Sequence, residues 1–472
     1  MKKIVAFALL FTLLMMIVTG CSSQTTTSQT ATGQSDSSTS GEPKSEVRKF
    51  EGTVLHMIAE QQNPTVALEK QLNKFEELTG IKVILEMGPF DSVVQKITLA
   101  MQSGSDAYDI IATPYQFLGN LVVNNYVQPL EPLMQDQSLS IIKDYNEADL
   151  IKGMWDASGK WKDQVYGIPA NSCIMFMAYR KDLFENEAEK AAFKAKYGYD
   201  LAVPTNWENY RDIAEFFTRK AGSTLAGKTL DQDFFGVSMS GKRHDATTCE
   251  WLNYAWSFGG GVFDQNGNII IGSDKNVAAL DYYTNLQKFA PPGISNKTWD
   301  EQTTDMQQGI ASMAIIFNDC LPAIENPEQS KVVGKMGYAA VPVKEKPAAH
   351  YGAWSYFIPT KSPNPKAAWV FLQWFNTPEV QKNLALDGAF PNLQSTYNDP
   401  ELMKRPYWQA TLDAYKISST RPRIPEWNSM NEELMLELSN AISGLSSPKD
   451  ALQAAQKKYE EILAGKTPVT YQ

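Results

Sequence analysis

TVLHMI (residues 53–58), IKVILEM (81–87) and YDIIAT (108–113) are three short apolar runs with strand character. Between the first two runs, apolar residues at spacings of four, three and three across 68–78 mark one face of a helix. Residues 91–104, between the second and third runs, are predicted to form another helix. Because strands and helices alternate, the sequence predicts a β-α-β-α-β unit with a parallel sheet, and therefore an α/β fold.

Two loops of this unit are candidates for ligand binding. In open parallel sheets, ligands collect at the carboxyl ends of the strands. EQQN (60–63) follows the first predicted strand and TPYQ (113–116) follows the third, and both loops are polar or aromatic. Solvated loops without a ligand are the alternative that this pattern leaves open.

The rest of the chain also mixes helical and strand patterns. Helical spacing recurs at 207–218, 277–289 and 365–375, a strand-rich stretch covers 310–358, and an amphipathic helical segment covers 431–463. No internal repeat is present in the sequence. With 472 residues, of which 43% are hydrophobic and 20% charged, the chain has an ordinary globular composition and is long enough for two domains.

Charge and cysteine content exclude some classes of function. The formal net charge is −10 and the pI is near 5.1, which argues against nucleic acid as a partner, because that partner requires clustered Lys and Arg. Cys173, Cys249 and Cys320 follow the amino-terminal cysteine without paired spacing, so no disulfide framework is indicated. A single bridge among them stays open.

The sequence gives no sign of a metal or a cofactor. The histidines, His56, His244 and His350, all lie outside zinc-binding motifs. The run DQNGN (264–268) lacks the glycine position and the terminal glutamate of a calcium loop, and Asn-Gly between apolar runs is typical of a tight hairpin turn. We therefore expect no metal site and no cofactor.

The amino terminus has the pattern of an exported lipoprotein. Lys2 and Lys3 precede an apolar run over 4–18, which is short for a membrane span. The run ends in VTGC (18–21), which resembles a bacterial lipobox. The resemblance implies that Cys21 receives a diacylglyceryl group and anchors the chain. An ordinary secretory signal with a chance cysteine is the alternative.

These patterns predict where the ordered protein begins and where it is located. Residues 1–20 would be a lipoprotein signal peptide, and 21–46, rich in Ser and Thr, would be a flexible tether. The ordered part would start near residue 47, at the extracytoplasmic face of the bacterial cell membrane.

GSTLAGKT (222–229) matches the phosphate-loop pattern G-x-x-x-x-G-K-[ST] letter for letter. A phosphate loop needs a strand before it and a helix after it, so that helix N–H groups converge on the phosphates. Here the preceding run has helical spacing and the following run, DFFGVSMS (233–240), has strand character. The sequence therefore predicts a helix-to-strand surface loop without a nucleotide site.

Nine segments in order carry a resemblance to a known family. They are FEELTGIKVILE, YDIIATPYQFLGNLVVNNYVQPLEPL, VYGIPANSCIMFMAYRKDLF, VPTNWENYRDIAE, FGGGVFDQNGN, MQQGIASMAI, MGYAAVPV, SPNPKAAWVFLQWFNTPEVQ and RPRIPEW. Together they resemble the extracellular solute-binding proteins of family 1, the receptors of sugar-import ABC transporters, from residue 54 to residue 463. APPGISNKTWDE and ENPEQSKVVGKMGYAAVPV are most similar to the branch that binds monosaccharides and polyols such as sorbitol and mannitol.

The resemblance implies a periplasmic-binding-protein type II-like, or Venus-flytrap, fold of two α/β lobes with hinge crossings. The first lobe would take 47–167 and 317–361, and the second would take 168–316 and 362–472. A carbohydrate or polyol would close one lobe over the other, and a membrane permease would recognise the closed form. The protein would be a non-catalytic, monomeric receptor.

Two other classes compete with this one. A surface-anchored carbohydrate hydrolase would need two carboxylates across a cleft, and the sequence singles out no such pair. A passive adhesin would bind no small molecule.

The resemblance also implies a set of ligand-binding residues, because sugars need planar polar groups for hydroxyls and aromatic rings for the C–H face. These are Gln62, Asn63, Tyr115 and Gln116 in the first lobe, Asn171, Asn318, Asp319 and Trp354 near the crossings, and Arg243, His244, Trp251, Arg423 and Trp427 in the second lobe. Structural roles remain the alternative, with Arg243 and Arg423 as surface cations and Trp251 as a core residue.

Overall fold

The computed structural model describes residues 46–464, and its first strands follow the predicted alternation. β1 (Val54–Glu60) pairs in parallel with β2 (Lys82–Gly88) on one side and with β3 (Ile110–Pro114) on the other. β3 is buried along its whole length, as expected for a strand covered on both faces. The prediction of an α/β fold with a parallel unit at its start is confirmed.

Nine strands of the described residues form one mixed sheet in the order β2-β1-β3-β12-β6-β10-β9, with β11 beside β6 and β13 beside β12. After β3, the strands are β4 (Lys160–Trp161), β5 (Gln164–Val165), β6 (Gly167–Arg180), β7 (Thr224–Leu225), β8 (Lys228–Thr229), β9 (Phe235–Ser238), β10 (Ala311–Phe317), β11 (Met336–Ala339), β12 (Ala349–Phe357) and β13 (Ser418–Ser419).

The helices lie on both faces of this sheet. In chain order they are α1 (Asn63–Glu69), α2 (Leu72–Thr79), α3 (Phe90–Ser103), α4 (Leu118–Val123), α5 (Glu131–Met134), α6 (Lys152–Ser158), α7 (Lys181–Phe184), α8 (Glu187–Tyr197), α9 (Trp207–Phe217), α10 (Asp245–Ser257), α11 (Asp274–Leu286), α12 (Trp299–Gln308), α13 (Leu321–Ile324), α14 (Pro365–Phe375), α15 (Pro378–Leu386), α16 (Gln394–Tyr397), α17 (Trp408–Tyr415), α18 (Trp427–Ile442) and α19 (Pro448–Leu463). None of the helices between residues 46 and 464 has the length and apolar character that a membrane span requires.

The antiparallel pair β6–β12 joins the two halves of the sheet. β12 pairs with β3 of the amino-terminal half, and β6 pairs with β10 and β11 of the other half. Their register shifts at one point, where Trp354 faces Asn171 but Ser355 faces Pro169, so that Ala170 is the extra residue of a bulge. The sheet therefore changes direction next to Asn171 and Trp354, two residues of the predicted site.

Two segments that the sequence predicts as single helices each form two helices in the structure. The segment 68–78 is divided between α1 and α2, and 431–463 is divided between α18 and α19. The second break has a clear cause, because Gly444 has a φ of 71° and Pro448 starts α19. α18 and α19 pack against each other as two separate helices.

The segment 222–229 is a two-stranded hairpin of β7 and β8. Ala226 and Gly227 at its tip have φ values of 48° and 78°, as a tight turn of this kind requires. α9 precedes the hairpin and β9 follows it, which confirms the predicted helix-to-strand connection. The element that follows is a strand, so this loop has no helix N-terminus behind it to hold phosphates.

The contacts of two later segments show which half of the molecule they join. The Phe371 and Trp374 rings of α14 lie 5.3 Å and 5.0 Å from the ring of Phe75 on α2. In contrast, the N–H of Val343 donates to the carbonyl of Thr205 at 2.9 Å. Residues 365–375 therefore pack on the amino-terminal half of the sheet, whereas the segment around Val343 packs on the half that contains β9 and β10.

Candidate functional site

A cavity of about 350 Å³ lies where the two halves of the sheet meet. Its wall combines the carboxyl end of β1, the first residues of α3 and α12, the turn after β10 and the centre of β12. This volume is at the lower end of the range of about 300–1,000 Å³ that is typical of small-molecule sites. The cavity therefore suits a small solute, and it lies at the strand end predicted to bind one.

Asp319 is the centre of a hydrogen-bond network in the wall. The Asn171 Nδ2 atom donates to the Asp319 carboxylate at 3.0 Å, and the Asn63 Nδ2 atom donates to the Asp319 backbone carbonyl at 2.7 Å. Burial raises the pKa of Asp319 to about 6, although the bond from Asn171 opposes this rise. These three side chains fix one another, so the Asp319 carboxylate is held at the cavity in a defined position.

Glu60 is the last residue of β1, and its side chain lines the same cavity with only 7% of the residue exposed. Burial and then the negative charge of Asp319 raise its pKa well above the ordinary value. Within residues 46–464, no hydrogen bond or ion pair to this carboxyl group is present. Glu60 is therefore a buried acid whose oxygens are available to a solute.

Arg421 supplies the positive charge in the cavity wall, but that charge is already paired. Its guanidinium donates to the Asp245 carboxylate at 2.6 Å, and the Asn431 Nδ2 atom donates to the same carboxylate at 2.7 Å. Burial alone would raise the pKa of Asp245, but Arg421 and Asn431 outweigh it and hold the pKa below the usual value. Asp245 is thus ionised and largely neutralises Arg421.

Aromatic rings complete the wall, and three of them, Phe90, Trp299 and Trp354, form one cluster. The ring of Phe90 lies edge-on to Trp299 at 5.6 Å and to Trp354 at 6.0 Å. Trp299 is fixed as the first residue of α12 by a capping box in which Thr298 and Glu301 bond each other's backbone. Because Phe90 comes from the amino-terminal half and Trp299 from the other half, a solute that packs beside both rings would touch both halves.

A second, larger groove of about 650 Å³ continues from the cavity at Phe90 and Asp245. It runs between α3 and α18 and contains three predicted site residues, Gln116, Arg243 and His244. Burial lowers the pKa of His244, whose Nε2 atom lies 3.5 Å from the Asp91 carboxylate. The Arg243 side chain is 53% exposed and lies 3.4 Å from Glu432.

The structure brings many of the predicted site residues to one place. Gln62, Asn63, Asp319 and Trp354 line the cavity. Another three predicted residues support its wall from behind. Asn171 holds Asp319, the Asn318 Oδ1 atom accepts the Ile174 N–H at 3.0 Å, and the Tyr115 hydroxyl accepts the Arg421 N–H at 2.5 Å.

The structure places three other predicted residues away from the cavity. Trp251 and Trp427 have no exposed surface and lie in the hydrophobic core, so neither ring is available for stacking on a solute. The Arg423 guanidinium donates to the carbonyls of Asp156, Ala157 and Lys160, all at 2.9 Å, and so holds the end of α6. A core position accounts for both tryptophans, and a capping role accounts for the arginine.

The predicted set lacks several residues of the wall, among them Glu60, Phe90, Asp245, Trp299 and Arg421. Two of them had a usable signal. Glu60 belongs to the EQQN loop after β1, and the T-x-x-E pattern at 298–301 is a helix-start signature next to Trp299. No local pattern distinguishes Arg421 from Arg423, since only the folded chain shows which one faces the cavity.

The three cysteines of the described chain are free, and all of them line the cavity. Burial raises the pKa of each thiol, of Cys173, Cys249 and Cys320, well above the ordinary value. They are therefore neutral, weakly polar wall residues. Between residues 46 and 464, no group of three His, Cys, Asp or Glu residues is arranged to hold a metal ion.

A polar cavity between two halves of an α/β molecule, reached by side chains of both halves, defines a protein that binds a small solute. The family model described as bacterial extracellular solute-binding protein matches residues 59–382, which is more than half of the chain. The chain belongs to this family.

Relatives agree with this assignment over most of their length. A Sinorhizobium fredii protein named probable amino-acid ABC transporter periplasmic-binding protein is 24% identical over 425 residues, covering 88% of this chain and 90% of that protein. The mannitol-binding protein of Pseudomonas aeruginosa is 22% identical over 386 residues, covering 77% and 82%. The structure of an Agrobacterium radiobacter ABC transporter solute-binding protein in complex with ribitol superimposes with a TM-score of 0.75 at 25% identity, covering 87% and 99%.

Membership of this family confirms three predictions. The family resemblance and the fold are as expected, and the chain is an extracellular solute-binding protein rather than an enzyme. The hydrolase alternative is therefore set aside.

Proposed function

We propose that the protein is the receptor of an ABC importer and that it binds a sugar or a polyol in the cavity at Glu60 and Asp319. The observation that carries this proposal is the combination, in one small cavity, of a fixed carboxylate–amide network with three aromatic rings. The hydroxyl groups of a sugar form hydrogen bonds with carboxylates and amides, and its C–H face packs on aromatic rings. The ribitol complex and the mannitol-binding relative support this class of solute.

An amino acid is the second candidate, because one relative is named as an amino-acid binding protein. An amino acid carries a carboxylate, which needs a positive partner in a buried site. Arg421 is already paired with Asp245 at 2.6 Å, so the cavity wall is poorly suited to a second carboxylate. The charges of the wall thus favour the sugar or polyol.

We further propose two lobes joined by three crossings, in β6 near Asn171, in β12 and in the segment 421–426. The contacts support a first lobe of 47–171 with 349–419 and a second lobe of 172–346 with 427–464. Relative to the sequence-based division, the segment with α14 moves to the first lobe, because α14 packs on α2. The segment around Val343 moves to the second lobe, because the Val343 N–H donates to the Thr205 carbonyl. A solute that touches both lobes would stabilise the closed form.

A thermal-unfolding screen of the full chain in detergent tests the class of solute. A ligand that binds only the native state raises the melting temperature, so a sugar or polyol at about 100 times its Kd should add about 2.7 kcal/mol to the unfolding free energy. A shift with amino acids and none with any sugar or polyol would contradict the proposal.

Lipid anchoring at Cys21 is a separate proposal, and Cys21 lies outside the described residues. It rests on the lipobox-like VTGC sequence. Replacing Cys21 by Ser should leave the precursor unprocessed or release the protein from the membrane fraction, as followed by cell fractionation and mass spectrometry. Unchanged processing and retention would show that the chain is not anchored at this residue.

A further inference from the structure

The cavity wall contains more acidic than basic side chains. The carboxyl groups of Glu60, Asp245, Asp300 and Asp319 line the cavity, and Arg421 is the single cation among the described wall residues. Arg421 is paired with Asp245, and Asp300 lies at the exposed rim. Glu60 and Asp319, which are 7% and 8% exposed, are thus buried acids without a cationic partner in the wall.

A buried carboxylate without a partner is unfavourable, and there are two ways to relieve it. Either the group takes up a proton, or a positive charge comes next to it. Asp319 is partly satisfied by Asn171, but the Glu60 carboxyl group accepts no hydrogen bond from residues 46–464. The unsatisfied group points to a positive charge that the solute itself brings into the cavity.

The aromatic rings give an independent reason for the same conclusion. The ring planes of Phe90 and Trp299 meet at 85° and those of Phe90 and Trp354 at 88°, and all three residues line the cavity. The face of an aromatic ring is negative and attracts a cation within about 6 Å of its centre. Rings of this kind beside unpaired carboxyl groups are suited to an ammonium group.

We propose that the solute carries an ammonium group among its hydroxyls, which makes it an amino sugar or an amino polyol rather than a neutral one. The ammonium group would lie beside Glu60 and Asp319 and against the rings of Phe90, Trp299 and Trp354. The hydroxyls would bond Asn63, Gln62 and the remaining carboxylate oxygens. This inference rests on the proposed function, because it names the solute class of the same cavity.

Matched pairs of compounds test the inference on the full chain in detergent. Each pair joins a neutral parent with its amine, for example sorbitol with 1-amino-1-deoxysorbitol, or glucose, mannose and galactose with their 2-amino-2-deoxy forms. By calorimetry at pH 7.5, the amine of the best pair should bind at least about tenfold more tightly than its parent, since charge-assisted bonds in a dry site are strong. The N-acetylated amine, which is neutral, should lose this gain.

Two variants assign the preference to the cavity. Glu60→Gln keeps the shape of the side chain and removes its charge, so the ratio of amine to parent affinity should fall about tenfold. Glu76→Gln, on the exposed side of α2, is the matched control and should leave the ratio unchanged. Using a ratio separates the effect on the ammonium group from any general damage to the site.

The pH dependence of the ratio is a second measurement that does not depend on a variant. Asp319, with a pKa of about 6, is ionised at pH 7.5 and protonated at pH 5, so the preference for the amine should decline over this interval. The acidic groups and thiols around Glu60 and Asp319 are those of Asp91, Asp245, Asp300, Cys173 and Cys320, and Arg421 lines the same cavity. Lys242 and His244 lie near Asp300. The neutral parent should show much less change, because a hydroxyl bonds either form of the carboxyl group.

The outcomes separate this inference from the function beneath it. A parent that binds as tightly as its amine, or a ratio that Glu60→Gln leaves unchanged, overturns the inference and leaves the sugar or polyol receptor standing. If no parent and no amine binds, the proposed function fails as well.

Discussion

Arg421 and Arg243 show how the surroundings of a residue decide its contribution. Both guanidinium groups face a carboxylate, but Arg421 and Asp245 are each 4% exposed, whereas the side chains of Arg243 and Glu432 are 53% and 62% exposed. A buried charge that loses its partner is costly, whereas an exposed pair is screened by water. The same change in sequence should therefore have different consequences at the two sites.

Replacement of Arg421 by Met should destabilise the protein by about 3–5 kcal/mol, because it leaves the charge of Asp245 buried and unpaired. Replacement of Arg243 by Met is the matched control and should cost less than about 1 kcal/mol. Urea unfolding followed by circular dichroism measures both. Equal losses in the two variants would show that the Arg421–Asp245 pair is not the buried contact described above.

The buried carboxyl group of Glu250 should make the stability of the protein depend on pH. Its carboxyl group is fully buried on α10 and accepts the Ser240 N–H at 2.8 Å and the Gln302 Nε2–H at 3.0 Å, and burial raises its pKa to about 8. Unfolded glutamate has a pKa of about 4.3, so between these values the folded state holds a proton that the unfolded state lacks. Stability from this group is complete below about pH 4.3 and is lost as the pH rises towards 8.

In Glu250→Gln this titration is absent, and the other titrating groups cancel in the comparison. The unfolding free energy of the wild type should therefore fall relative to the variant by about 1.4 kcal/mol per pH unit between pH 5 and pH 8. Urea titrations at several pH values supply this difference. A constant difference across the interval would mean that Glu250 is ionised throughout.

At the scale of secondary structure, the hairpin of β7 and β8 shows how a local motif can mislead. Its sequence matches a phosphate loop, but Ala226 and Gly227 form a tight turn between two strands. Turn geometry, rather than ligand binding, explains the glycine at position 227. Lys228 is exposed on the hairpin.

Variants of the hairpin tip test this explanation. A Cβ atom at position 227 would meet no atom within 4 Å, so Gly227→Ala adds only backbone strain and should cost about 1–2 kcal/mol. Ala226→Gly, at the neighbouring position of positive φ, should cost nothing or stabilise slightly. Lys228→Ala should change stability by less than about 0.5 kcal/mol. ATP binding that Lys228→Ala abolishes would contradict the interpretation.

At the scale of the whole molecule, the proposed closure depends on contacts between distant parts of the chain. Phe90 and Trp299 are 209 positions apart in sequence, yet their rings are 5.6 Å apart. The Tyr115 hydroxyl, in the proposed first lobe, accepts the backbone N–H of Arg421, which begins the proposed crossing 421–426. A solute in the cavity would join these parts, and closure should reduce the radius of gyration.

Small-angle scattering of the full chain with and without its solute measures that reduction. Trp299→Ala should weaken solute binding about tenfold and reduce the closure at a given concentration, because an aromatic contact contributes about 0.5–1.5 kcal/mol beyond its buried area. Trp299→Phe keeps a ring at the position and should recover most of the affinity. Scattering that is independent of the solute would rule out closure as the response to binding.

Local patterns were enough to predict some elements and not others. The spacing of apolar residues predicted β1, β2, β3 and α3, since each buries one side or both sides in a regular period. The breaks between α1 and α2 and between α18 and α19 were not predicted, although Gly444 and Pro448 mark the second break in the sequence.

The residues of the candidate site also differ in whether the sequence could predict them. Asn63 could be predicted because it follows β1, whose carboxyl end is set by the local β-α-β pattern, whereas Asp319 was predicted only through the family resemblance. Trp251 and Trp427 could not be told from cavity residues, because aromatic side chains serve cores and ligands alike and only packing decides between them. The choice of Arg421 over Arg423, and the unpaired state of Glu60, depend on which charges folding brings within a few ångströms of one another. Such contacts join residues hundreds of positions apart, so they arise from the tertiary structure and have no signature in any short stretch of the chain.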